Sequence, residues 1–490
     1  MIEAIGYSSD APETHFFIYQ NFILGYLYKL FPDFLDIFGY NWFHIFTQFI
    51  FLSSSIYFLK EVKKLSWKLI TVILIPLFLY LFFVSQYSIT PVLLFFSGLV
   101  IIGHKKDKAY VSHALGLFFI VYASMVRIEA FYFSVACFFP FALHFLKSNR
   151  QKLFFSSALI ISVVLNLIHQ EASKKHLATK DFFQKTIERK KILDYRGGDF
   201  LLNHSNYLKE SGLSINDVKL FKNWFLLDKD INKKILSDQV QKKISPSTLQ
   251  RVKWGLSSLL FLKGHELFFL SLLFLITLIL SFNKYSITSS VVFFMAIFIS
   301  GFLGREPLIR VYIGPLMALS LLNIYFIKFS NRNTALICIP LLLIFGFNNI
   351  RQMSNNKHLL QKGERHLTFL LKEKDARPNL NLYFWSHSSM FANYLYPLKN
   401  HPRIRDLSFT RTSYIWSNSK DPHGKERMEK FRNDFTSEHG ITLIFDHLND
   451  RYFAPLIKTY CQERFKKNIY TSSVSEPKTN DLHLITFKCL

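Results

Sequence analysis

Two carboxylates and an imidazole stand close together near the start of the chain, ahead of its first apolar segment. Asp10, Glu13 and His15 lie within six residues of one another. A carboxylate at the edge of a membrane can act as a general base toward an acceptor hydroxyl, or help to hold a divalent cation. We therefore predict Glu13 and Asp10 as catalytic residues and His15 as a substrate-binding residue. The alternative is an exposed polar tail whose acids ease translocation.

Further ionisable residues interrupt or flank the apolar segments. Arg127 and Glu129 fall inside the apolar stretch Leu115–Phe145, and Arg305 and Arg310 fall just ahead of another. Ionisable groups near membrane depth are costly and mark functional sites, and the arginine fork matches phosphate oxygens. We predict that the three arginines bind a phosphate or diphosphate, with Glu129 beside them. The alternatives are an ion pair that closes a turn at Arg127 and ordinary loop charge at Arg305 and Arg310.

The other residues that could carry chemistry form no metal or nucleotide motif. The four cysteines lack zinc-ligand spacing, the histidines lack the H-E-x-x-H pattern, and there is no P-loop or dinucleotide fingerprint. The sequence predicts no metal site, and it leaves the cofactor undefined, with a divalent cation compatible. Cys461 and Cys489 both lie near the C-terminus, where a disulfide would require an oxidising compartment.

The elements that must position these residues are apolar segments long enough to cross a bilayer. The chain has 490 residues, half of them hydrophobic, with 54 Phe. Because a ~30 Å hydrocarbon core needs about 20 apolar residues, we predict an all-α polytopic membrane domain over residues 1–350. The predicted spans are 41–59, 69–85, 90–104, 111–126, 129–146, 153–169, 265–282, 286–303, 311–328 and 334–350.

The distribution of positive charge orients these spans. The net charge is +25, but the basic residues are dispersed rather than clustered, which argues against a nucleic-acid partner. Loops 60–68, 104–110 and 147–152 carry three or four Lys and Arg each, whereas 86–89 carries none. The positive-inside rule therefore places the basic loops in the cytoplasm. Residues 1–40, the turn at Arg127, the loop 170–264, the segment Gly304–Arg310 and the tail 351–490 are predicted to face outward.

Both large outward segments show their own secondary-structure signals. In the loop 170–264, Ser214 followed by Asp217 resembles a helix capping box, and Val218, Phe221 and Phe225 recur at helical spacing behind it. We predict a mostly helical loop that presents an apolar face.

The tail 351–490 has the composition of an extracytoplasmic α/β soluble domain. A polar helix is predicted near 355–374, and strands are predicted at Leu380–Trp385, Ile441–Phe445 and Leu482–Phe487.

Four parts of the chain, in order over roughly residues 1–350, carry a resemblance to other proteins. They are Asp10–His15 with Asn21–Tyr26, Met125–Glu129, Gly212–Asp217 with Lys222–Phe225, and Arg305–Tyr312. These stretches resemble parts of a group of uncharacterised bacterial polytopic membrane proteins. The layout of that group is similar to that of GT-C glycosyltransferases.

The resemblance to GT-C enzymes implies a function as well as a layout. It implies acidic catalytic residues in the first outer loop, here Glu13 and Asp10, and a sugar donor linked to a polyprenyl phosphate. The expected activity is transfer of that sugar to a cell-envelope glycan or lipid on the outer face of the inner (plasma) membrane. Arg127, Arg305 and Arg310 would stabilise the departing phosphate, because it gains charge in the transition state.

Other envelope functions remain open from the sequence. One alternative is an O-antigen-type polysaccharide polymerase, which also has a large outer loop. Others are a lipid or polysaccharide transporter and an assembly scaffold without chemistry. A transporter is expected to carry charged residues deep within several spans, and these spans are nearly free of charge.

The start of the chain departs from the GT-C pattern. GT-C proteins begin with a cytoplasmic end and a span ahead of the acidic loop, whereas Met1 lies only nine residues ahead of Asp10. We expect either that this span is absent or that upstream coding sequence precedes the given start.

Overall fold

The computed structural model describes most of the chain. The described residues are 20–30, 39–83, 88–104, 110–175, 186–264, 267–305, 307–385, 410–411, 422–446, 449–475 and 482–490. Asp10, Glu13 and His15 lie outside them. The chain forms two compact units. The membrane unit comprises His15–Gln170 and Leu249–Asn356, and the sheet unit includes Glu171–Thr248 and Lys357–Leu490.

Helices dominate both units. The first run is α1 (Phe22–Leu30), α2 (Gly39–Tyr57, continued by a π-helical turn at Phe58–Val62), α3 (Trp67–Phe83), α4 (Thr90–His104), α5 (Tyr110–Val126), α6 (Ile128–Phe145) and α7 (Asn149–Lys175). Short helices follow: α8 (Thr186–Leu193), α9 (Gly197–Leu202), α10 (Ser205–Glu210), α11 (Ile215–Lys222), α12 (Lys229–Ile235) and α13 (Asp238–Lys243). Then come α14 (Thr248–Leu260, ending in a 3-10 turn at Phe261–Lys263), α15 (Phe268–Ser281), α16 (Lys284–Phe302), α17 (Ile309–Ile324), α18 (Asn331–Leu343, continued by a π-helical turn at Ile344–Asn349) and α19 (Ile350–Ala376).

Several helices of the membrane unit are long and apolar enough to span a bilayer. Within the described residues, four qualify by length and composition: Trp42–Val62, α6, α7 and α16. The bent pair of α14 and α15 makes a fifth candidate, and five further apolar helices are shorter. Helices are expected here because lipid offers no partner to backbone N–H and C=O groups, so each segment must satisfy them internally.

Small residues let these helices approach closely. A Cβ on Gly98 of α4 would lie 2.6 Å from the backbone oxygen of Gly116 on α5. A Cβ on Gly301 of α16 would lie 2.7 Å from the backbone oxygen of Trp254 on α14. Glycine at these contacts is the usual device by which membrane helices pack without a hydrophobic driving force. The second contact brings α14 against α16, which matters for the site described below.

The sheet unit contains a five-stranded mixed sheet. The strands are β1 (Leu382–Phe384), β2 (Thr410–Arg411), β3 (Ile441–Asp446), β4 (Ile469–Ser475) and β5 (Leu482–Cys489), in the order β2-β1-β3-β5-β4. β1 pairs in parallel with β2 and β3, whereas β5 runs antiparallel to β3 and β4. Helices α20 (Pro422–Phe435) and α21 (Asp450–Phe465) lie between strands in the sequence. The predicted strands at β1, β3 and β5 are confirmed, and β2 and β4 were not predicted.

The hydrophobic core of the sheet unit is built from both of its chain segments. Phe225, from the segment before α14, lies with its ring centroid 5.3 Å from that of Trp385 and 5.6 Å from that of Tyr460. The indole N–H of Trp385 donates to the backbone oxygen of Asn223 at 2.6 Å. The apolar face predicted for residues 218–226 is therefore buried in one core with the C-terminal residues, which removes its apolar surface from water.

Two local features of this unit tie its segments together. The capping box predicted at Ser214 and Asp217 is confirmed at the start of α11. Asp217 also accepts a hydrogen bond from Arg464 of α21 at 2.6 Å, and its side chain is only 3% exposed. Cys461 and Cys489 form a disulfide that joins α21 to the end of β5, with a Cα–Cα distance of 5.8 Å.

Candidate functional site

A cavity at one end of the membrane unit gathers residues that are far apart in the sequence. It encloses about 120 Å³, several times the ~15 Å³ that one water molecule needs. Its walls come from the turn before α4, the start of α6, the ends of α14 and α16, and the start of α17. The lining residues are Ser88, Val92, Arg127, Glu129, Ala130, Phe133, Ser258, Ala296, Ile297, Ser300, Arg305, Pro307, Leu308, Val311 and Tyr312.

Arg127 is placed by the junction between α5 and α6. It is the single extended residue between the two helices, with φ −161° and ψ 109°. Its Nη1 donates to the Ser88 hydroxyl at 2.7 Å, and its Nε lies 3.7 Å from the Glu129 carboxylate. The Arg127 side chain is 9% exposed and that of Glu129 is 40% exposed. Burying this charge is costly unless it is paired, and the hydrogen bond to Ser88 and the ion pair with Glu129 hold the guanidinium at the cavity wall.

Arg305 is placed by the way α16 ends. Gly304 has φ +95°, its N–H donates to the oxygen of Gly301 at 2.7 Å, and the N–H of Arg305 donates to the oxygen of Ser300 at 3.1 Å. This pair of bonds is a Schellman motif, which needs a left-handed residue and so favours glycine. The motif ends the helix and turns the half-buried Arg305 to the cavity. Gly304 therefore positions a residue that the sequence had already singled out.

Hydroxyl groups complete the lining. The Tyr312 hydroxyl donates to the backbone oxygen of Ser258 at 3.2 Å, which satisfies one of the last carbonyls of α14. The Ser258 hydroxyl is buried and meets no hydrogen-bond partner in the part of the chain that the structure describes. Sequence reasoning missed Ser88, Ser258 and Ser300. It quoted Tyr312 only within a resembling stretch, since isolated hydroxyl residues in apolar segments carry no signal of their own.

The residues predicted to bind substrate do not all meet at this cavity. Arg127, Glu129 and Arg305 line it together, as the prediction of a shared site requires. Arg310, the second residue of α17, is not among the lining residues, and its Nε is buried without a hydrogen-bond partner among the described residues. Its predicted contact with phosphate stays a prediction.

The segment after the acidic stretch is anchored beside the same turn. The N–H of Asn21 donates to the oxygen of Met125 at 2.8 Å, and its side chain donates to the oxygen of Leu165 at 3.0 Å. The N–H of Phe22 donates to Nδ1 of the buried His169 at 3.3 Å. Asn21, six positions after His15, is therefore bonded to the last turn of α5, at a residue two positions before Arg127.

Comparison with other proteins assigns the chain to no family. No protein-family model, curated protein or solved structure matches the chain. Within the described residues, no group of three or more His, Cys, Asp or Glu side chains is arranged to hold a metal ion. The chemistry of the cavity is therefore argued from its own side chains, which are two guanidinium groups, one carboxylate and four hydroxyls.

Proposed function

We propose that this protein is a membrane-embedded glycosyltransferase that uses a sugar donor linked to a polyprenyl phosphate. One observation carries the proposal: Arg127 and Arg305, nearly 180 positions apart, line one cavity together with Glu129. Their charges sum to about +1 there, and hydroxyl donors surround them. Such a site suits a phosphate group whose ester is linked to a lipid, because guanidinium groups form charge-assisted bonds with phosphate oxygens.

The arginines would act on the leaving group. The bond between the anomeric carbon and the phosphate oxygen breaks, and the phosphate leaves with the electron pair. A new bond forms from that carbon to the acceptor oxygen, with inversion. Fixed positive charge at the leaving phosphate lowers the barrier, because negative charge grows there in the transition state. A phosphate is a weak enough base to leave without a general acid.

A carboxylate must take the proton of the acceptor hydroxyl. Glu13 or Asp10 is proposed for this role, with His15 contacting the substrate, and all three lie outside the described residues. The anchoring of Asn21 beside the α5–α6 turn supports the choice, since Glu13 lies eight positions earlier and eight residues of chain reach at most about 29 Å. A divalent cation held by the same carboxylates is compatible with this chemistry.

The proposed topology has ten spans and places the sheet unit outside the inner (plasma) membrane. The segments 171–248 and 357–490 share one core, so an even number of spans must separate them, and four are predicted between them. The disulfide between Cys461 and Cys489 supports an oxidising compartment. The sheet unit is thus proposed to be the extracytoplasmic α/β domain, on the side where an envelope acceptor is found.

A binding experiment tests the site itself. Native mass spectrometry of the purified protein with undecaprenyl phosphate is expected to show binding that weakens about tenfold to hundredfold in Arg305→Gln, the range for losing a charged hydrogen bond. Arg127→Lys serves as a second variant that keeps the buried charge but loses the fork. Arg251→Gln on α14 is the control, because Arg251 does not line the cavity. Equal binding by all four proteins would defeat the proposed site.

A cellular experiment tests the reaction. Glu13→Gln and Asp10→Asn are compared with the parent by mass spectrometry of envelope glycans, with protein levels measured alongside. Loss of a single sugar supports the transferase, and a shift in glycan chain length points to the polymerase instead. Unchanged glycans in cells whose protein still binds undecaprenyl phosphate would point to a transporter or scaffold and overturn the enzymatic proposal.

A further inference from the structure

The three helices that form much of the Arg127 cavity also meet at their opposite ends. Arg127 immediately precedes α6, and His144 lies in its last turn. An 18-residue helix is about 27 Å long, close to the ~30 Å thickness of the hydrocarbon core. In the same way, α16 contributes Ser300 to the cavity and begins at Lys284. In a bilayer that these helices cross, their two ends would reach the depths of the two headgroup layers.

Aromatic rings from three elements cluster at this second end. The ring of His144 lies 4.7 Å from that of Tyr285 at the start of α16. It lies 5.6 Å from the ring of Tyr325 and 5.0 Å from that of Phe326, both just after α17. Rings with polar edges are typical of the boundary between the acyl chains and the headgroups.

Two lysines carry positive charge into the cluster. Lys284 is the first residue of α16, and its ammonium lies 5.1 Å from the centroid of the Tyr285 ring. Lys147 lies two residues beyond the end of α6 and three beyond His144. Neither lysine forms a salt bridge with a carboxylate in the described part of the chain. Lys63 is also near, but its ammonium donates to the backbone oxygens of Tyr325 and Ile327 at 2.7 and 2.6 Å. Positive charge thus stays in excess over the described carboxylates at this end.

We propose that Lys147, Lys284, His144 and the Tyr285 hydroxyl bind the phosphate of an anionic phospholipid headgroup. The leaflet is the one opposite the Arg127 cavity, at the end where the basic loops lie. A lipid rather than a soluble anion is favoured by the neighbouring apolar side chains. Leu143 is 63% exposed and Phe282 is 77% exposed, and both adjoin the cluster in the sequence. They offer exposed apolar surface for acyl chains within two positions of His144 and Lys284 in the chain.

The proposal predicts lipid-selective binding that depends on the two lysines. The full-length protein is placed in nanodiscs of phosphatidylcholine with or without phosphatidylglycerol, and retained lipids are counted by native mass spectrometry. Each lysine near a membrane surface contributes roughly fivefold to the affinity for anionic lipid, so Lys147→Gln with Lys284→Gln should weaken phosphatidylglycerol binding about 30-fold. Lys147→Arg with Lys284→Arg should restore it.

Matched controls separate this site from general charge. Lys60→Gln with Lys64→Gln removes two lysines from another basic loop, where Lys64 is paired with the Glu61 carboxylate and Lys60 lies over the Trp67 ring, and it should lower the retained phosphatidylglycerol much less. An equal loss in that control, or no loss in the Lys147 and Lys284 variant, overturns the proposal. Inorganic phosphate added to phosphatidylcholine discs should not stabilise the protein against heat. Phosphatidylglycerol in the discs, by contrast, should raise the unfolding temperature. If inorganic phosphate raises it by the same amount, the ligand is a soluble anion and the lipid assignment is wrong.

Discussion

The disulfide between Cys461 and Cys489 provides a quantitative test of the sheet unit. The two sulfurs close a loop with a sequence separation of 28. In the chain-entropy treatment, a loop of that size stabilises the folded state by about 3.6 kcal/mol, because it restricts the unfolded chain. Cys461→Ser with Cys489→Ser should therefore lower the free energy of unfolding of this unit by about that amount. Both cysteines are fully buried, so the double replacement also leaves two hydroxyls in the core and adds to the loss.

Hydrogen exchange followed by mass spectrometry measures this effect in the intact protein. The amides of β3 lie in the middle of the sheet, and they exchange through opening of the whole unit. A loss of about 3.6 kcal/mol predicts exchange about 400-fold faster in β3 peptides of the double variant. The parent protein treated with a reductant under the same conditions should show a similar acceleration.

Controls show whether the disulfide is responsible. Cys338→Ser, in α18, should leave β3 exchange unchanged with and without reductant, because Cys338 is a free cysteine. Unaltered β3 exchange in the double variant would refute the reasoning that the cross-link constrains this unit. When cell extracts are alkylated before reduction, Cys461 and Cys489 should not be labelled, because their sulfurs are held in the disulfide. Labelling of both would contradict the placement of the sheet unit in an oxidising compartment.

Three further replacements test individual contacts. Arg464→Met should destabilise the sheet unit by about 3 to 5 kcal/mol, since it leaves the buried carboxylate of Asp217 without its cation; thermal unfolding of the full-length protein measures this. Gly304→Ala should cost about 1 to 2 kcal/mol, because it places a Cβ on a left-handed residue, and it should also weaken undecaprenyl phosphate binding. Burial, and then the charge of Asp228, raise the pKa of Tyr460 well above its ordinary value of 10.0. The sheet unit should therefore lose stability as the pH rises above about 10, and Tyr460→Phe should reduce that dependence.

The sign of the tyrosine effect follows from proton binding. Above its ordinary pKa the unfolded chain releases the phenolic proton, whereas the folded protein keeps it, so rising pH favours unfolding. Unfolding temperatures of the parent and of Tyr460→Phe are compared at pH 8 and near pH 11. Lysines also titrate in this range, but they are the same in both proteins, so the difference isolates the contribution of Tyr460. Equal slopes in both proteins would contradict the assignment. For Gly304→Ala, unchanged binding of undecaprenyl phosphate would show that the position of Arg305 does not depend on the Schellman motif.

Much of the secondary structure follows from local patterns. Apolar stretches became helices because a chain in lipid must satisfy its backbone groups within the segment. Ser214 and Asp217 formed the predicted capping box, since that motif needs only residues three positions apart. The edge strand β4 was missed because most of its residues are exposed, so it lacks the alternation that marks a half-buried strand. The two residues of β2 are too few to show any pattern.

The candidate site shows where local reasoning ends. Arg127 and Arg305 could be singled out from the sequence, because charged residues beside apolar segments are rare and costly. Their meeting with Ser258 and Tyr312 depends on which helices pack together, and the Gly301 contact between α14 and α16 decides part of that. Nothing in the spacing of Arg305 and Arg310 shows that one lines the cavity and the other does not.

The sequence by itself determined which segments are apolar, where charge is placed and which side chains can bind phosphate. The tertiary structure alone decided which of these side chains contact one another. The apolar residues within 218–226 predict that this face is buried. Hydrophobic burial is non-directional, however, so the sequence does not specify which residues cover the face. Only the folded chain shows that Trp385 and Tyr460 do so. In the same way, it shows the disulfide between Cys461 and Cys489 that the sequence left open, and it brings Arg127 and Arg305 to one cavity.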